Sequence, residues 1–238
     1  MMLAVVESGD MVLTDIEPPV GGILKHRFFE SIAISSPMVA QTELELAVLF
    51  GASLETVALA NTCIRVQASS SDEDRCSIAA LALHSDVDPE LTDCRGLALT
   101  RSRSEAQSVV ELNASTPGIK AVDHVVLMTN DADDCIRLFG QQLGMRLALD
   151  QTVPEWGGRM LFFREGSMTL EIIQNPKEPV ATDRFWGICY RCSDIEGTCA
   201  GLLSRGVEVS SIRDGRKPGS RVATIKSHCA GLPTLLVS

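Results

Sequence analysis

The sequence predicts an α+β protein of two tandem modules, residues 1–118 and 119–238, built on a β-α-β-β-β unit. Three observations predict it. Short β-branched and aliphatic runs separated by Gly and Pro turns outnumber the helical stripes. In the second half the order strand, helix, strand, strand, strand is completed by Ile173 and starts again at Phe185. Fragments of that half also recur in the first, which is the mark of a duplicated unit.

In chain order, Met11–Ile16 reads as a strand, followed by the turn signals Pro18-Pro19 and Gly21-Gly22. Phe28–Ser35 reads as a strand, and residues 37–50 as a helix stopped by Gly51. Leu54–Ala60 and Cys63–Ala68 suggest a hairpin around Asn61; Ile78–Leu83 and Leu97–Thr100 are further strands. The polar stretch 102–118 ends in Pro117-Gly118, where the module boundary is placed. The second half gives strand Val122–Met128, then an amphipathic helix from Asp131 to Leu143 stopped by Gly144. Strands Met145–Leu149, Met160–Arg164 and Met168–Ile173 complete the unit. Strand Phe185–Arg191, helix Asp194–Ser204 and strands Val207–Ile212, Val222–Lys226 and Leu232–Val237 follow. Val125–Asp131 matches Ile188–Asp194, each leading into a helix; Cys94-Arg-Gly-Leu matches Cys229-Ala-Gly-Leu, and Ser85-Asp86 matches Ser193-Asp194. The first half is a shortened, worn copy.

Composition narrows the function classes. Hydrophobic residues make up 45% of the chain and mean hydropathy is +0.14, so there is material for a substantial core. Residues 1–118 hold 17 acidic against 7 basic side chains, which accounts for the net charge of −10, and the second half is neutral. Neither half has the basic excess that binding nucleic acid requires. No apolar run approaches the ~18 residues of a membrane span, and the N-terminus lacks a basic leader, so a soluble, cytoplasmic protein is expected. The eight cysteines are scattered, and in a reducing compartment they are expected to be free thiols. Cys189 and Cys192 form a CxxC spacing but lie in a strand, where positions three apart face opposite sides, which argues against a shared metal.

Two strands carry the chemistry. Val122, His124, Val126 and Met128 alternate onto one face of the first, and Thr169, Glu171 and Ile173 onto one face of the other. If both faces look inward, an imidazole and a carboxylate enter one apolar pocket, and such a pair is costly to bury unless it is hydrogen-bonded or occupied. Trp156, Phe162 or Phe163, Trp186 and Tyr190 are candidate aromatic walls, since both Trp and the only Tyr lie in the second half. Arg213, Arg216, Lys217 and Arg221 bracket one turn and are candidates for holding a substrate carboxylate or phosphate; a solvated turn is the competing reading.

The runs Val122-Asp-His-Val-Val126, Leu138-Phe-Gly-Gln-Gln-Leu-Gly144, Leu170-Glu-Ile172 and Gly231-Leu-Pro-Thr-Leu-Leu236 carry a family resemblance. Residues 119–238 resemble a complete module of the vicinal oxygen chelate superfamily, which includes glyoxalase I, bleomycin-resistance proteins and extradiol dioxygenases. The resemblance implies paired βαβββ units curled as mixed sheets around a cavity. Metal ligands then come from the first and fourth strand of each unit, the positions of His124 and Glu171. It also implies a divalent metal ion, a small-molecule substrate with neighbouring oxygens, and lyase or isomerase chemistry in which Glu171 ligates or moves a proton. The second unit departs from the pattern: its ligand positions fall near Gly187 and Leu235, and the corresponding positions of the first half are Ser31 and Arg65. His84, Glu111 or a partner subunit would have to complete a fuller ligand set. The alternatives are a metal-free His–Glu pair in a non-catalytic binding module or, ranked lower, a ring-cleaving dioxygenase. Either a monomer with two modules or a homodimer satisfies the pattern.

Overall fold

The computed structural model describes residues 29–51, 57–69, 74–84, 94–102, 118–156 and 158–238. In the first half, strand β1 (Phe29–Ser36) leads to helix α1 (Val39–Phe50), then β2 (Val57–Ala58), β3 (Cys63–Ala68), β4 (Ser77–His84) and β5 (Ala98–Ser102). In the second, β6 (Ile119–Met128) leads to α2 (Ala132–Cys135, continuing as a π-helical stretch Ile136–Gln142), β7 (Arg146–Val153), β8 (Gly158–Glu165) and β9 (Met168–Gln174). β10 (Arg184–Cys192), α3 (Ile195–Ser204), β11 (Arg213–Asp214), β12 (Arg221–Ile225) and β13 (Thr234–Val237) complete it.

The two sheets share a wiring pattern. The larger has the order β11-β12-β13-β10-β6-β9-β8-β7 and the smaller β2-β3-β1-β4-β5. In the larger, β6 pairs parallel with β9 and antiparallel with β10, which pairs parallel with β13. In the smaller, β1 pairs parallel with β3 and antiparallel with β4, which pairs parallel with β5. Strands β1, β3, β4 and β5 therefore correspond to β6, β9, β10 and β13. The register carries through: Ala33 pairs with Arg65 as Val126 pairs with Glu171, so Ser31 and Arg65 stand where His124 and Glu171 stand.

The helix starts follow from the repeated sequence. Asp131 accepts a hydrogen bond from the Asp134 amide and Asp194 one from the Gly197 amide, each satisfying a first-turn N–H that the helix leaves open. Helix α1 ends as expected at Gly51, whose φ of +68° suits glycine, with its amide on the Ala47 carbonyl at 2.8 Å. One continuous apolar core spans both sheets, with Ile32, Leu46, Leu127, Phe139 and Leu202 among its members. A second, smaller apolar cluster lines the opposite, concave face of the larger sheet.

Several expectations change. Val207–Ile212 is not a strand; it makes one bridge, Val209 to Ile225. There the Ser210 hydroxyl accepts the Thr224 amide, a side-chain bond that replaces part of the backbone ladder. Among the described residues the hairpin around Asn61 is limited to Val57–Ala58 against Cys63–Ile64, while the other edge of β3 pairs with β1. The expected strand Met11–Ile16 and the Pro117-Gly118 boundary lie in or beside stretches outside the described residues. No helix among the described residues is long and apolar enough to cross a membrane.

Candidate metal and substrate site

The site starts from a break in the alternation of β6. Val122 pairs with Tyr190 and His124 with Cys189, so Asp123 is an extra residue, a β-bulge. The bulge resets the faces. Val122 joins the inter-sheet core, while Val126 and Met128 lie in the concave cluster. The expected four-residue face beginning at Val122 is therefore wrong by one residue. The same bulge recurs at Glu30, between Phe29 and Ser31, in the equivalent strand of the first sheet.

His124 is 5% exposed and Glu171 1% exposed, with His124 Nε2 and a Glu171 carboxylate oxygen 3.5 Å apart. His124 Nε2 and Glu171 Oε1 have no hydrogen-bond partner among the described residues. On the other side of the ring, Nδ1 lies 3.0 Å from Asp123 Oδ2. An ionised carboxylate only accepts, so Nδ1 donates, which aims Nε2 at Glu171. Asp123 is itself fixed by Arg191, whose Nε and Nη2 donate to Oδ1 at 3.0 and 2.7 Å. Burial alone would raise the Asp123 carboxyl, but His124 and Arg191 hold it down at about 2. Burial opposes a charged imidazole at His124, yet Cys189, Asp123 and Glu171 outweigh it and hold the ring well above its ordinary value. Burial pushes Glu171 up to about 7, against the pull of His124 and Arg216.

Of the candidates expected from the sequence, His124, Glu171, Trp186 and Arg216 come together. Trp186 is half-buried against the concave cluster, and Arg216 is half-buried and electrostatically coupled to Glu171. Phe163 and Tyr190 do not join them. Phe163 packs on Phe139 with ring centroids 5.9 Å apart, and Tyr190 meets Phe50 of α1 edge-on at 5.4 Å, both in the inter-sheet core. Strand alternation puts Phe162, not Phe163, in the concave cluster. Arg221 points to the helical side and pairs with Glu196 of α3. Trp156 ends a short 3₁₀ turn, Pro154–Trp156; its side chain, like that of His84, lies outside the described residues, as does Glu111.

Two contributors were missed. Cys189 faces His124 across the β6–β10 pair; its Sγ, a carboxylate oxygen of Asp123 and a His124 ring nitrogen lie within 4.8 Å of one another. The opposite-face argument for CxxC holds, since Cys189 lies in the concave cluster and Cys192 in the inter-sheet core, yet it concealed that Cys189 shares a face with His124. Gln151 on β7 pairs with Met160 and so shares the concave face; its Nε2 is buried without a hydrogen-bond partner among the described residues. The signal for Gln151 was its spacing of two from Leu149 in a strand predicted to end at Leu149.

Residues 123–224 match the family described as Glyoxalase/Bleomycin resistance protein/Dioxygenase superfamily. The matched segment runs from β6 to β12 of the larger sheet. Among curated proteins, none matches the chain. Methylmalonyl-CoA epimerase from Mycobacterium tuberculosis is 24% identical over 53% of this chain and 91% of its own, with a TM-score of 0.42. Streptomyces coelicolor methylmalonyl-CoA epimerase in complex with 2-nitronate-propionyl-CoA is 19% identical over 50% and 97%, also at 0.42. A mutant of 4-hydroxymandelate synthase from Streptomyces coelicolor is 11% identical but covers 89% of this chain and 92% of its own at 0.64. That likeness is one of fold and covers most of both halves of the chain.

The superfamily implies a divalent metal, and the donor set fits one. His124 Nε2 and Glu171 Oε1 are buried without a hydrogen-bond partner among the described residues, and leaving such atoms so costs about 1–3 kcal/mol each. Asp123 on Nδ1 is the kind of outer partner that orients a ligating histidine. The second-unit positions contribute no donor, for a steric reason at one of them: a Cβ on Gly187 would stand 2.6 Å from the Pro233 carbonyl oxygen. That carbonyl accepts the Ile188 amide, tying β10 to the approach of β13. Leu235 occupies the other, in register with Cys189.

Proposed function

We propose that the second module is a metal-dependent lyase or isomerase of the glyoxalase type, acting on a small substrate with two neighbouring oxygens. His124 Nε2 and the Glu171 carboxylate would hold the divalent ion. The observation that carries this reading is a buried imidazole Nε2 lying 3.5 Å from a buried carboxylate, with Nε2 and the other carboxylate oxygen, Oε1, lacking hydrogen-bond partners among the described residues. When bound, the ion supplies positive charge that stabilises negative charge developing on a substrate oxygen. Asp123 keeps Nδ1 protonated and the ring fixed. Arg191 locks Asp123 in turn. The concave cluster of Val126, Met128, Met160, Phe162 and Ile173 excludes water and takes the apolar part of the substrate. Glu171, if not fully committed as a ligand, moves the proton on carbon.

The division at residues 118 and 119 belongs to the same proposal: the first module covers the helical side of the second, so one chain suffices. A cytoplasmic location agrees with the free thiols. A non-catalytic binding role is the second reading, favoured by the missing donors at Gly187 and Leu235. The test is deuterium exchange at carbon next to a carbonyl, followed by NMR across a panel of 2-hydroxy carbonyl compounds. Exchange that disappears on chelation, returns with added metal and is lost in Glu171→Ala supports the enzyme. Binding without exchange in every metal state supports the second reading.

A further inference from the structure

The donors of the concave face point to the charge of the substrate. Arg216 sits in a turn whose conformation is tightly set. The Gly215 amide donates to the Ser220 carbonyl at 2.8 Å, and the Ser220 hydroxyl and amide both donate to the Lys217 carbonyl, at 2.6 and 3.0 Å. A Cβ on Gly215 would stand 2.2 Å from the Ser220 hydroxyl, so the chain closes on itself there and Ser220 is buried. Arg216, held in this turn, is half-buried and electrostatically coupled to Glu171. Arg213, just before the turn, is half-buried, with its Nη atoms 3.4 Å from the hydroxyl of Thr224, which stands in register with Leu235 of the concave cluster. From the β7 edge, Gln151 adds a buried Nε2 donor to the same face. A guanidinium is always charged and donates in a planar fork matched to a carboxylate.

Building on the function proposed above, we propose that the site selects substrates carrying a carboxylate beside the reacting oxygen, 2-hydroxy or 2-oxo acids with an apolar side chain, and that Arg216 recognises the carboxylate. Gln151 donates to a second substrate oxygen, and the Val, Met and Phe side chains receive the alkyl group. Arg221, five residues on and paired with Glu196 on the helical side, takes no part.

The test uses 2-hydroxyisocaproate and its primary amide, which differ in charge but hardly in shape, titrated calorimetrically into the full chain with and without zinc. The wild type is expected to prefer the acid at least tenfold. Arg216→Gln is expected to weaken the acid at least tenfold and the amide less than twofold, so that the preference collapses. Arg221→Gln, the control, should keep it. Gln151→Leu should weaken both ligands several-fold. Equal binding of acid and amide by the wild type, binding of neither, or a preference unchanged in Arg216→Gln overturns the inference. Zinc uptake by each protein separates the two proposals. Zinc bound with no acid preference removes the carboxylate assignment alone. An acid preference that depends on Arg216 in a protein taking no zinc removes the metal reading alone.

Discussion

Replacing Arg95 with methionine should cost more stability than any single surface change in this chain. Arg95 precedes β5, in the first half, but its guanidinium reaches the second: Nε lies 2.5 Å from Asp183 Oδ2, Nη1 pairs with Asp134, and Nη2 donates to Asn130 Oδ1 at 2.9 Å. The Asp183 side chain is only 1% exposed. Without Arg95 its carboxylate keeps the Thr129 hydroxyl at 2.8 Å and a long contact to the Cys135 thiol, neither of which carries charge. Breaking a buried pair from one side costs about 3–5 kcal/mol, because the other charge stays behind in a poorly solvated place. For a chain of this size that lowers the melting temperature by about 6–20 °C. Arg159 is the internal comparison. It also bridges two carboxylates, Asp150 and Asp133, but the Asp133 side chain is 81% exposed, and exposed pairs contribute about 0–1 kcal/mol. Urea unfolding followed by circular dichroism measures both. Adding Asp183→Asn to Arg95→Met should recover part of the loss by removing the stranded charge. If Arg95→Met and Arg159→Met fall within about 1 kcal/mol of each other, the argument from burial is refuted.

Asn61 should behave as a clamp on the bulged strand: its Nδ2 donates to the Val122 carbonyl at 2.7 Å and its Oδ1 accepts the Val122 amide at 3.0 Å. Asn61→Leu is expected to cost about 1–3 kcal/mol and to speed hydrogen exchange at the Val122 amide, while exchange in β12 stays as it was. Gly187→Ala should destabilise by about 1–3 kcal/mol and disturb β13 first, since its methyl meets the Pro233 carbonyl; unchanged stability would mean that β13 gives way freely. Burial pushes the Cys135 thiol up to about 12 and raises that of Cys189, so both should escape alkylation in the native protein at about pH 8. Cys63, Cys76 and Cys94, partly exposed, should label first by mass spectrometry.

Much of the fold was legible because its signals are local. Asp131 and Asp194 announce their helices by the same capping chemistry, and Gly51 ends α1 where a left-handed residue was needed. The correspondence of Ser31 and Arg65 with His124 and Glu171 came with the family resemblance, and the two sheets pair those strands in one register. What alternation alone missed was decided by non-local pairing. The bulge at Asp123 depends on how β10 pairs with β6, and it alone moves Val122 to the other face. The same limit left Phe162 and Phe163 as alternatives, which the pairing of Phe162 with Glu171 decides. Tyr190 was assigned to a pocket wall because a lone tyrosine in an apolar strand looks functional, yet its ring is used against Phe50 from a distant part of the chain. Arg221 was separated from Arg216 only by Glu196 on a packed helix, a partner that no spacing within the turn reveals.

The central claim is that His124 and Glu171 hold a divalent ion. Equilibrium dialysis of chelator-treated protein against zinc, read by elemental analysis, tests it most directly. One ion per chain in the wild type, with uptake lost in both His124→Ala and Glu171→Ala while both variants keep the native circular dichroism, is the predicted result. Stoichiometric zinc that survives both substitutions, or none in the wild type, would contradict it.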